Sequence, residues 1–339
     1  MSLAPLVAAP TTSLTAHQLR FEGVITRPVA MHPHKGSALR GMLFHALRGD
    51  FNSPAGFCVN RREPECHRCP YYAMCPISAL LATVDPDSPR GINVPRPYTL
   101  EPPLGMETLL PVGAPLTFGL TLFASALNLF PYVIVGVREL ERGGIGLPLQ
   151  QPDGRWRKGS FRLQRIVAHN PATGEEQVIL QGGDDLVQVP DVPITHAQLV
   201  DIPHAEDEVT LELLTPLRLV DGEHLVHQPN FRVLVHRLFE RLEALALHFA
   251  GEPLRFDRPK LLSIADKVEL VHDETRWLDL QSYSTRRGAA SPIGGLVGRA
   301  TFRGPLESFW PWLRWAEIVH VGKDAVKGNG WLRIAAQAT

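Results

Sequence analysis

The chain has 339 residues, of which 44% are hydrophobic and 20% charged, and its formal net charge at pH 7 is -1. This length accommodates two domains, each with its own core. No apolar run approaches the length of a membrane span, and the N-terminus lacks the basic start of a signal peptide. We therefore expect a cytoplasmic protein with no membrane partner, whose thiols are kept reduced.

The small net charge hides an uneven distribution along the chain. The segment from Met1 to Arg62 carries +5, the segment from Arg286 to Thr339 also carries +5, and the residues between them carry -11. Two basic ends that meet in space would form a positive surface for an anionic partner such as nucleic acid. The alternative is that these residues only solvate the surface, and charge alone favours that alternative.

The N-terminal half has the pattern of a ferredoxin-like fold. Residues 1–16, rich in Ala, Pro, Ser and Thr, are interpreted as a disordered tail, and the domain after them is predicted to cover residues 17–195. Residue periodicity predicts, in order, a strand at 17–26, a helix at 37–48, a strand at 116–124, a helix at 128–142 and a strand at 161–168. With insertions, this order suits a βαββαβ unit.

The C-terminal half has a similar organisation. An acidic, proline-containing segment at 186–207 is the predicted linker, and the second domain is predicted to cover residues 205–339. Its predicted elements are a strand at 209–214, a helix at 230–251, strands at 277–283 and 295–303, a helix at 306–319 and a strand at 331–334. The expected fold class is α+β, with two tandem ferredoxin-like domains.

All four cysteines of the chain lie in one insertion of the first domain, at Cys58, Cys66, Cys69 and Cys75. Cys66 and Cys69 have the spacing of a metal knuckle, and four thiolates make a closed tetrahedral zinc site. Such a site is structural, because no position stays open for a catalytic water. An iron–sulfur cluster is the less favoured alternative. Two disulfides are disfavoured in a reducing compartment, and His67 could replace one thiol.

The first predicted helix separates an apolar face from a polar one. Leu39 and Leu43 mark the centre of the apolar face when residues are placed every 100°. Gly41, His45 and Arg48 fall together on the opposite side. A histidine titrates near neutrality and suits proton transfer, and the glycine leaves space for a bulky ligand. The alternative is that His45 is an ordinary solvated helix residue.

A glycine-rich, basic segment runs from His320 to Trp331. Its glycines are Gly322, Gly328 and Gly330, and its lysines are Lys323 and Lys327. Exposed backbone N–H groups in such a loop could cradle a phosphate, although glycine loops are more often simple tight turns. Arg286 and Arg287 precede a second glycine-rich stretch at 291–298, which adds to the expected binding region.

The order of these motifs resembles that of the CRISPR precursor-RNA processing endoribonucleases of the RAMP superfamily, over nearly the whole chain beyond the tail. The segments that carry the resemblance are Leu39–Gly41, His45–Arg48, the cysteine cluster, Arg96–Tyr98, Glu101–Leu104, Pro131–Tyr132 with Arg138–Leu140, Leu214–Arg218, Ala265–Leu270, Tyr283–Arg287, Pro292–Gly298, Glu317–Lys323 and Gly328–Gly330. One departure is Asp324–Lys327, where smaller or neutral residues are more usual.

The resemblance implies two ferredoxin-like domains, a glycine-rich RNA-binding loop and cleavage of CRISPR repeat RNA without a catalytic metal. In that reaction the 2′-hydroxyl attacks the adjacent phosphorus, leaving a 2′,3′-cyclic phosphate and a 5′-hydroxyl. His45 is the candidate general base or acid, and His32 and His34 are candidates for the second proton transfer. The candidate charge stabilisers are Lys35, Arg40 and Arg48.

Two alternatives to this function stay open at this point. The first is a non-catalytic RNA-binding subunit of a CRISPR effector, with the same fold and other Cas subunits as partners. The second is a zinc-dependent nuclease or deaminase, and an all-cysteine site without a conspicuous carboxylate–histidine partner argues against it.

Overall fold

A computed structural model describes residues 12–49, 56–63, 65–82, 94–151, 153–202, 207–284 and 289–336. The chain forms two compact units. The N-terminal unit is His17–Pro193, and the C-terminal unit is Ile194–Thr339 together with the chain up to Ala16. Part of the expected tail is ordered, since Leu14 and Ala16 are buried and the backbone of Ala16 pairs with that of Ile194.

The N-terminal unit combines an antiparallel sheet with helices. Its described strands are β1 (Ala16–Arg27), β2 (Val29–Ala30), β3 (Tyr98–Glu101), β4 (Leu109–Leu110), β5 (Pro115–Phe123), β6 (Ile145–Gln150), β7 (Trp156–Asn170) and β8 (Glu175–Gln181). Its described helices are α1 (Lys35–Arg48), α2 (Pro76–Leu81) and α3 (Phe130–Gly143). The strand order is β3-β5-β1-β7-β6-β2-β4, with β8 on β7. Strands β3-β5-β1-β7, with α1 and α3 as crossovers, have the order of a ferredoxin-like βαββαβ unit.

The C-terminal unit repeats this topology. Its described strands are β9 (Glu208–Leu217), β10 (Val220–Asp221), β11 (His224–Leu225), β12 (Glu269–Asp273), β13 (Arg276–Leu278), β14 (Gln281–Ser284), β15 (Ala289–Pro292), β16 (Gly295–Arg303) and β17 (Leu332–Ile334). Its described helices are α4 (His196–Val200), α5 (Phe231–Leu245), α6 (Arg258–Ala265) and α7 (Trp310–Val319). The main sheet has the order β12-β16-β9-β17, and β13 also pairs with β16. The same strand order therefore occurs twice.

Aromatic residues fill the core of each unit. In the N-terminal unit, Phe21 of β1 stacks on Phe118 of β5 with ring centroids 4.9 Å apart. In the C-terminal unit, Phe231 at the start of α5 packs between Phe302 and Phe309. Among the described residues, no helix has both the length and the apolar character needed to cross a membrane.

The mixed α/β architecture with antiparallel sheets confirms the expected fold class, but several elements differ from their predictions. No strand was predicted at the positions of β3 and β12. The strand expected at 277–283 is divided between β13 and β14. The expected linker contains α4, which begins with a capping box between Thr195 and Gln198 and belongs to the C-terminal unit.

Candidate functional site

Helix α1 begins at a histidine cap and ends at a glycine. The Nδ1 atom of His34 accepts a hydrogen bond from the backbone N–H of Ser37 at 3.4 Å, so His34 is the N-cap. Gly49 ends the helix in the left-handed conformation, with a φ of 80°. This geometry fixes the ring of His34 at the entrance of the helix. His32, two residues earlier, is exposed.

His45 lies off the apolar face of α1, as the helical periodicity predicted. Its side chain is partly buried, whereas Leu39 and Leu43 are buried in the core. The His45 ring lies edge-on to the ring of Phe44, with centroids 5.5 Å apart. A Cβ atom added to Gly41 would meet nothing within 4 Å, so the surface one turn before His45 is open.

The candidate charge stabilisers on α1 are Lys35, Arg40 and Arg48, and their surroundings differ. Lys35 is 2% exposed, and its Nζ donates a hydrogen bond to the carbonyl oxygen of Gly105 at 2.7 Å. Burial lowers the pKa of Lys35, and the nearby Glu107 carboxylate partly opposes that change. Lys35 is therefore part of the packed interior, and its expected role as a charge stabiliser stays a prediction.

Arg40 and Arg48 flank the ring of Phe44. Their guanidinium carbons lie 5.9 Å and 6.0 Å from the ring centroid, within the range of cation–π attraction. Arg40 donates to the carbonyl oxygen of Leu81 at 3.2 Å, and Arg48 donates to that of Arg61 at 2.7 Å. Both side chains are partly buried, so α1 carries two positioned arginines on either side of Phe44.

The four cysteines come together beside the C-terminal end of α1. Cys58, Cys66, Cys69 and Cys75 line one cavity, to which Arg48 also contributes. All four lie among the described residues and form no disulfide. In the part of the chain that the structure describes, no three His, Cys, Asp or Glu side chains are arranged to hold a metal ion as they stand. The predicted clustering is therefore present, and the predicted zinc stays a prediction.

The glycine-rich loop at 320–330 is tied to the rest of the C-terminal unit by its own backbone. Val321 N–H donates to the carbonyl of Gly330, Lys323 N–H to that of Arg218, and Gly330 N–H to that of Pro216. Turns within the loop use the amides of Lys327, Gly328 and Asn329. These six amides are occupied, which corrects the idea of an open cradle of N–H groups. A Cβ on Gly330 would overlap Val321, so Gly330 is required for close packing.

The two lysines of this loop differ in their availability. Lys323 is exposed, whereas Lys327 is partly buried and pairs with Asp324 at 2.9 Å. Asp324 has a φ of 65°, and this left-handed conformation begins the turn that contains Lys327. The acidic residue that departs from the usual family pattern therefore neutralises its neighbouring lysine. Lys323 is therefore the more exposed of the two lysines.

The second glycine-rich stretch contacts the first loop. The side-chain amide of Asn329, which is fully buried, donates to the carbonyl oxygen of Ile293 at 2.7 Å. Arg218 donates to the carbonyl oxygen of Gly294 at 3.0 Å and lies over the ring of Trp277. These bonds join both glycine-rich segments to the end of β9. Arg286 and Arg287 fall outside the described residues.

The sequence alone indicated no specific role for two further groups of basic residues. Arg299 and Arg333 both bind the carboxylate of Glu212 across three strands, and Arg303 pairs with Glu208. On α5, two partly buried arginines form ion pairs: Arg232 with Asp266 and Arg237 with Glu240. Nearby carboxylates therefore balance the charges of these cations.

A buried pair of basic groups lies where α7 ends and the glycine-rich loop begins. His320 is fully buried, adopts a φ of 57° and stacks on Trp331 with centroids 5.9 Å apart. Burial, and then the charge of Arg241, lower the pKa of His320 to about 3. Burial lowers the pKa of Arg241 to about 10, which still leaves its guanidinium charged at neutral pH. His320 is thus a neutral structural residue.

Two family models match the chain, and together they cover most of it. Residues 14–192 match a family described as an N-terminal domain. Residues 211–332 match the family described as CRISPR-associated endoribonuclease Cas6. No curated protein sequence matches the chain.

The fold matches solved structures over nearly the whole chain. A Cas6 product complex has 16% identity and a TM-score of 0.51, with coverage of 95% of this chain and 99% of that chain. Cas6 from Thermus thermophilus has 17% identity and a TM-score of 0.50, with coverage of 96% and 100%. A partial Cas6-RT-Cas1–Cas2 complex has 12% identity and a TM-score of 0.58, with coverage of 97% and 48%. At these identities the likeness is one of fold.

The chain thus contains two ferredoxin-like units in tandem, and residues 211–332 of the second unit match the Cas6 endoribonuclease family. The chain belongs to the family whose N-terminal-domain model matches residues 14–192, which are more than half of its length.

Proposed function

We propose that this protein is an endoribonuclease that binds CRISPR repeat RNA and cuts precursor transcripts into crRNAs. The match of residues 211–332 to the Cas6 endoribonuclease family is the observation that carries this proposal. A solved Cas6 product complex that shares the fold over 95% of this chain supports it. The same fold in a Cas6-RT-Cas1–Cas2 complex is the ground for proposing other Cas proteins as partners.

The proposed chemistry needs no catalytic metal ion. A general base takes the proton of the 2′-hydroxyl, the 2′-oxygen attacks phosphorus, and the bond from phosphorus to the 5′-oxygen breaks. A general acid protonates that leaving oxygen, which gives a 2′,3′-cyclic phosphate and a 5′-hydroxyl. The protein aligns the three atoms and stabilises the extra negative charge at phosphorus.

His45 is our candidate for one of the two proton transfers. Its ring lies off the apolar face of α1, next to the open surface at Gly41. Arg40 and Arg48, on either side of Phe44, supply positive charge from the same helix. Both are held by backbone carbonyls, so their orientation is set before RNA binds.

His34 is the candidate for the second proton transfer. Because its Nδ1 accepts the N-cap hydrogen bond, the neutral ring carries its proton on Nε2. To act as the general acid, the ring must gain a second proton on Nδ1, which breaks the cap hydrogen bond, and it then gives its Nε2 proton to the leaving 5′-oxygen. The exposed His32 is the other candidate in the same loop.

The proposal is tested with repeat-containing RNA in the presence of EDTA. We expect a single cut per repeat, a 5′-hydroxyl on the downstream product and a cyclic phosphate on the upstream product. An RNA with one 2′-deoxynucleotide at the cut site should stay intact, because the attacking hydroxyl is missing. Binding without cleavage under all conditions would instead identify a non-catalytic RNA-binding subunit, and cleavage of the deoxy substrate would exclude 2′-hydroxyl attack.

A further inference from the structure

The cysteine insertion is docked on the C-terminal end of α1. The backbone N–H of Phe57 donates to the carbonyl of Leu47 at 2.7 Å, and the side chain of Arg48 donates to the carbonyl of Arg61 at 2.7 Å. The ring of Phe57 also meets the ring of Tyr132 on α3 edge-on, with centroids 5.1 Å apart. The insertion therefore contacts α1 at Leu47 and Arg48, two and three residues after His45.

The insertion has little apolar packing of its own. Its two short 3-10 turns, Cys66–Arg68 and Tyr72–Met74, contain no buried residue. Val59 and Met74 are each 80% exposed. A segment this short cannot build a stable core and needs another cross-link, such as a metal ion. No disulfide joins the four cysteines, so disulfide bonds do not supply this cross-link.

The backbone presents the four thiols to one cavity. The N–H of Cys69 donates to the carbonyl of Cys66 at 3.1 Å, which closes a turn with both thiols on it. Cys75 ends the next turn and caps α2, and all four cysteines are partly exposed. The side-chain amide of Asn60 donates to the sulfur of Cys69 at 3.7 Å. A donor aimed at sulfur is the kind of outer contact that orients metal-binding thiolates.

The charge balance of this cavity also suits thiolates. Four thiolates around one divalent ion have a net charge of -2, which requires nearby positive charge. Arg48 and Glu63 both line the cavity, and residues 58–75 contain three arginines and two glutamates, a formal charge of +1. Together with Arg48, this segment supplies part of that positive charge.

We propose that Cys58, Cys66, Cys69 and Cys75 bind one structural zinc ion, which joins the insertion to the end of α1 and holds Arg48 in position. The thiols surround the cavity without converging on one point, so binding draws the sulfur atoms inward. Zinc binding does not depend on the RNA-cleaving function proposed above. Arg48 is the last residue of α1 and also lines the cavity, so it connects the proposed metal site to the helix. Its role in this proposal is that of a positioning residue.

The test is metal analysis of the full-length protein purified under reducing conditions without a chelator. We expect one zinc ion per chain, and after exchange for Co²⁺ we expect the absorption of tetrahedral cobalt with thiolate charge-transfer bands. Cys66→Ser and Cys69→Ser should lose the metal and lower the melting temperature. The matched control Ser78→Ala changes another residue of the cavity wall and should keep the metal.

Three outcomes would overturn the proposal. One is metal-free protein that takes up no Zn²⁺ or Co²⁺. Another is bound iron with a visible cluster absorption, which would make the site an iron–sulfur centre. The third is Zn²⁺ that stays bound in both cysteine variants. If either variant is insoluble, thiol titration of the wild type decides the matter, since added Zn²⁺ should protect all four thiols from reagent. All these readouts are independent of RNA cleavage.

Discussion

The guanidinium of Arg241, on α5, donates from Nε to the carbonyl oxygen of Val319 at 2.5 Å. Val319 is the last residue of α7, where carbonyl groups lack helical partners and the helix dipole favours a cation. His320 follows at once with a positive φ, and the glycine-rich loop begins there. Arg241 thus fixes the point at which the chain leaves α7 for the loop.

Arg241→Met should loosen this loop. The substitution keeps an apolar stem but leaves the Val319 carbonyl without its donor, which costs about 1–3 kcal/mol of unfolding free energy. We expect faster hydrogen exchange at residues 321–330 and a lower melting temperature. Arg232→Met, on the same helix but paired with Asp266 at the surface, is the control and should change neither. Unchanged exchange in the loop of Arg241→Met would contradict the role of Arg241.

His45→Ala should reduce cleavage while RNA stays bound. Loss of a general acid or base lowers the rate by about 10²–10⁴-fold. We expect that decrease in single-turnover cleavage, with a dissociation constant close to that of the wild type. His224→Ala, an exposed histidine on β11, is the control for losing an imidazole elsewhere. Cleavage by His45→Ala at the wild-type rate would remove His45 from the mechanism without affecting the proposed activity.

The two loop lysines should contribute unequally to RNA binding. Lys323 is exposed, whereas Lys327 is held by Asp324. A phosphate contact by Lys323 predicts that Lys323→Ala weakens binding and reduces the salt-dependence slope by about 1. Lys327→Ala should change the slope less, since its charge is already balanced. Equal effects of the two substitutions on the slope would argue against this difference.

Glu101 should make the N-terminal unit less stable as pH rises. Burial is the main cause that raises the pKa of this β3 carboxyl to about 7, and a hydrogen bond from Gln18 and the charge of Arg20 oppose it. Between about pH 4.5 and 7 the folded state keeps a proton that the unfolded state has lost, so stability falls across this window. The full effect is about 3 kcal/mol.

Glu101→Gln should remove this dependence. We expect a flatter curve of unfolding free energy against pH between 5 and 7, measured with urea. Glu175→Gln, at an exposed position of β8, should leave the wild-type slope unchanged. A slope that survives Glu101→Gln would show that another group binds the proton.

His320 should have the opposite effect on the C-terminal unit. Its folded pKa of about 3 lies below the ordinary value of 6.5, because burial and Arg241 disfavour the charged ring. The unfolded state therefore binds a proton first as pH falls below 6.5, and stability is lost toward pH 3. His320→Asn, which tolerates the positive φ, should flatten this acid slope even if it lowers stability at pH 7. An unchanged slope would contradict the assignment.

Much of the fold could be predicted because side-chain periodicity records which face of an element is buried. The strand β1 and the helices α1 and α5 follow apolar spacings of 2.0 or 3.6 residues, and the structure places them within a few residues of the predicted bounds. β3 was missed because all four of its residues are buried, which leaves no alternation to detect. β12 was missed because it is short and mostly exposed.

The sequence by itself determined that the four cysteines lie in one insertion, that His45 is off the apolar face of α1, and that glycines and lysines share one loop. These properties depend on neighbours along the chain. Only the tertiary structure decided that Lys35 is buried against Gly105 and that Arg241 caps α7. It also decided that the amides of Lys323 and Gly330 donate to the carbonyls of Arg218 and Pro216, which lie far earlier in the chain. Such partners have no signature in local periodicity.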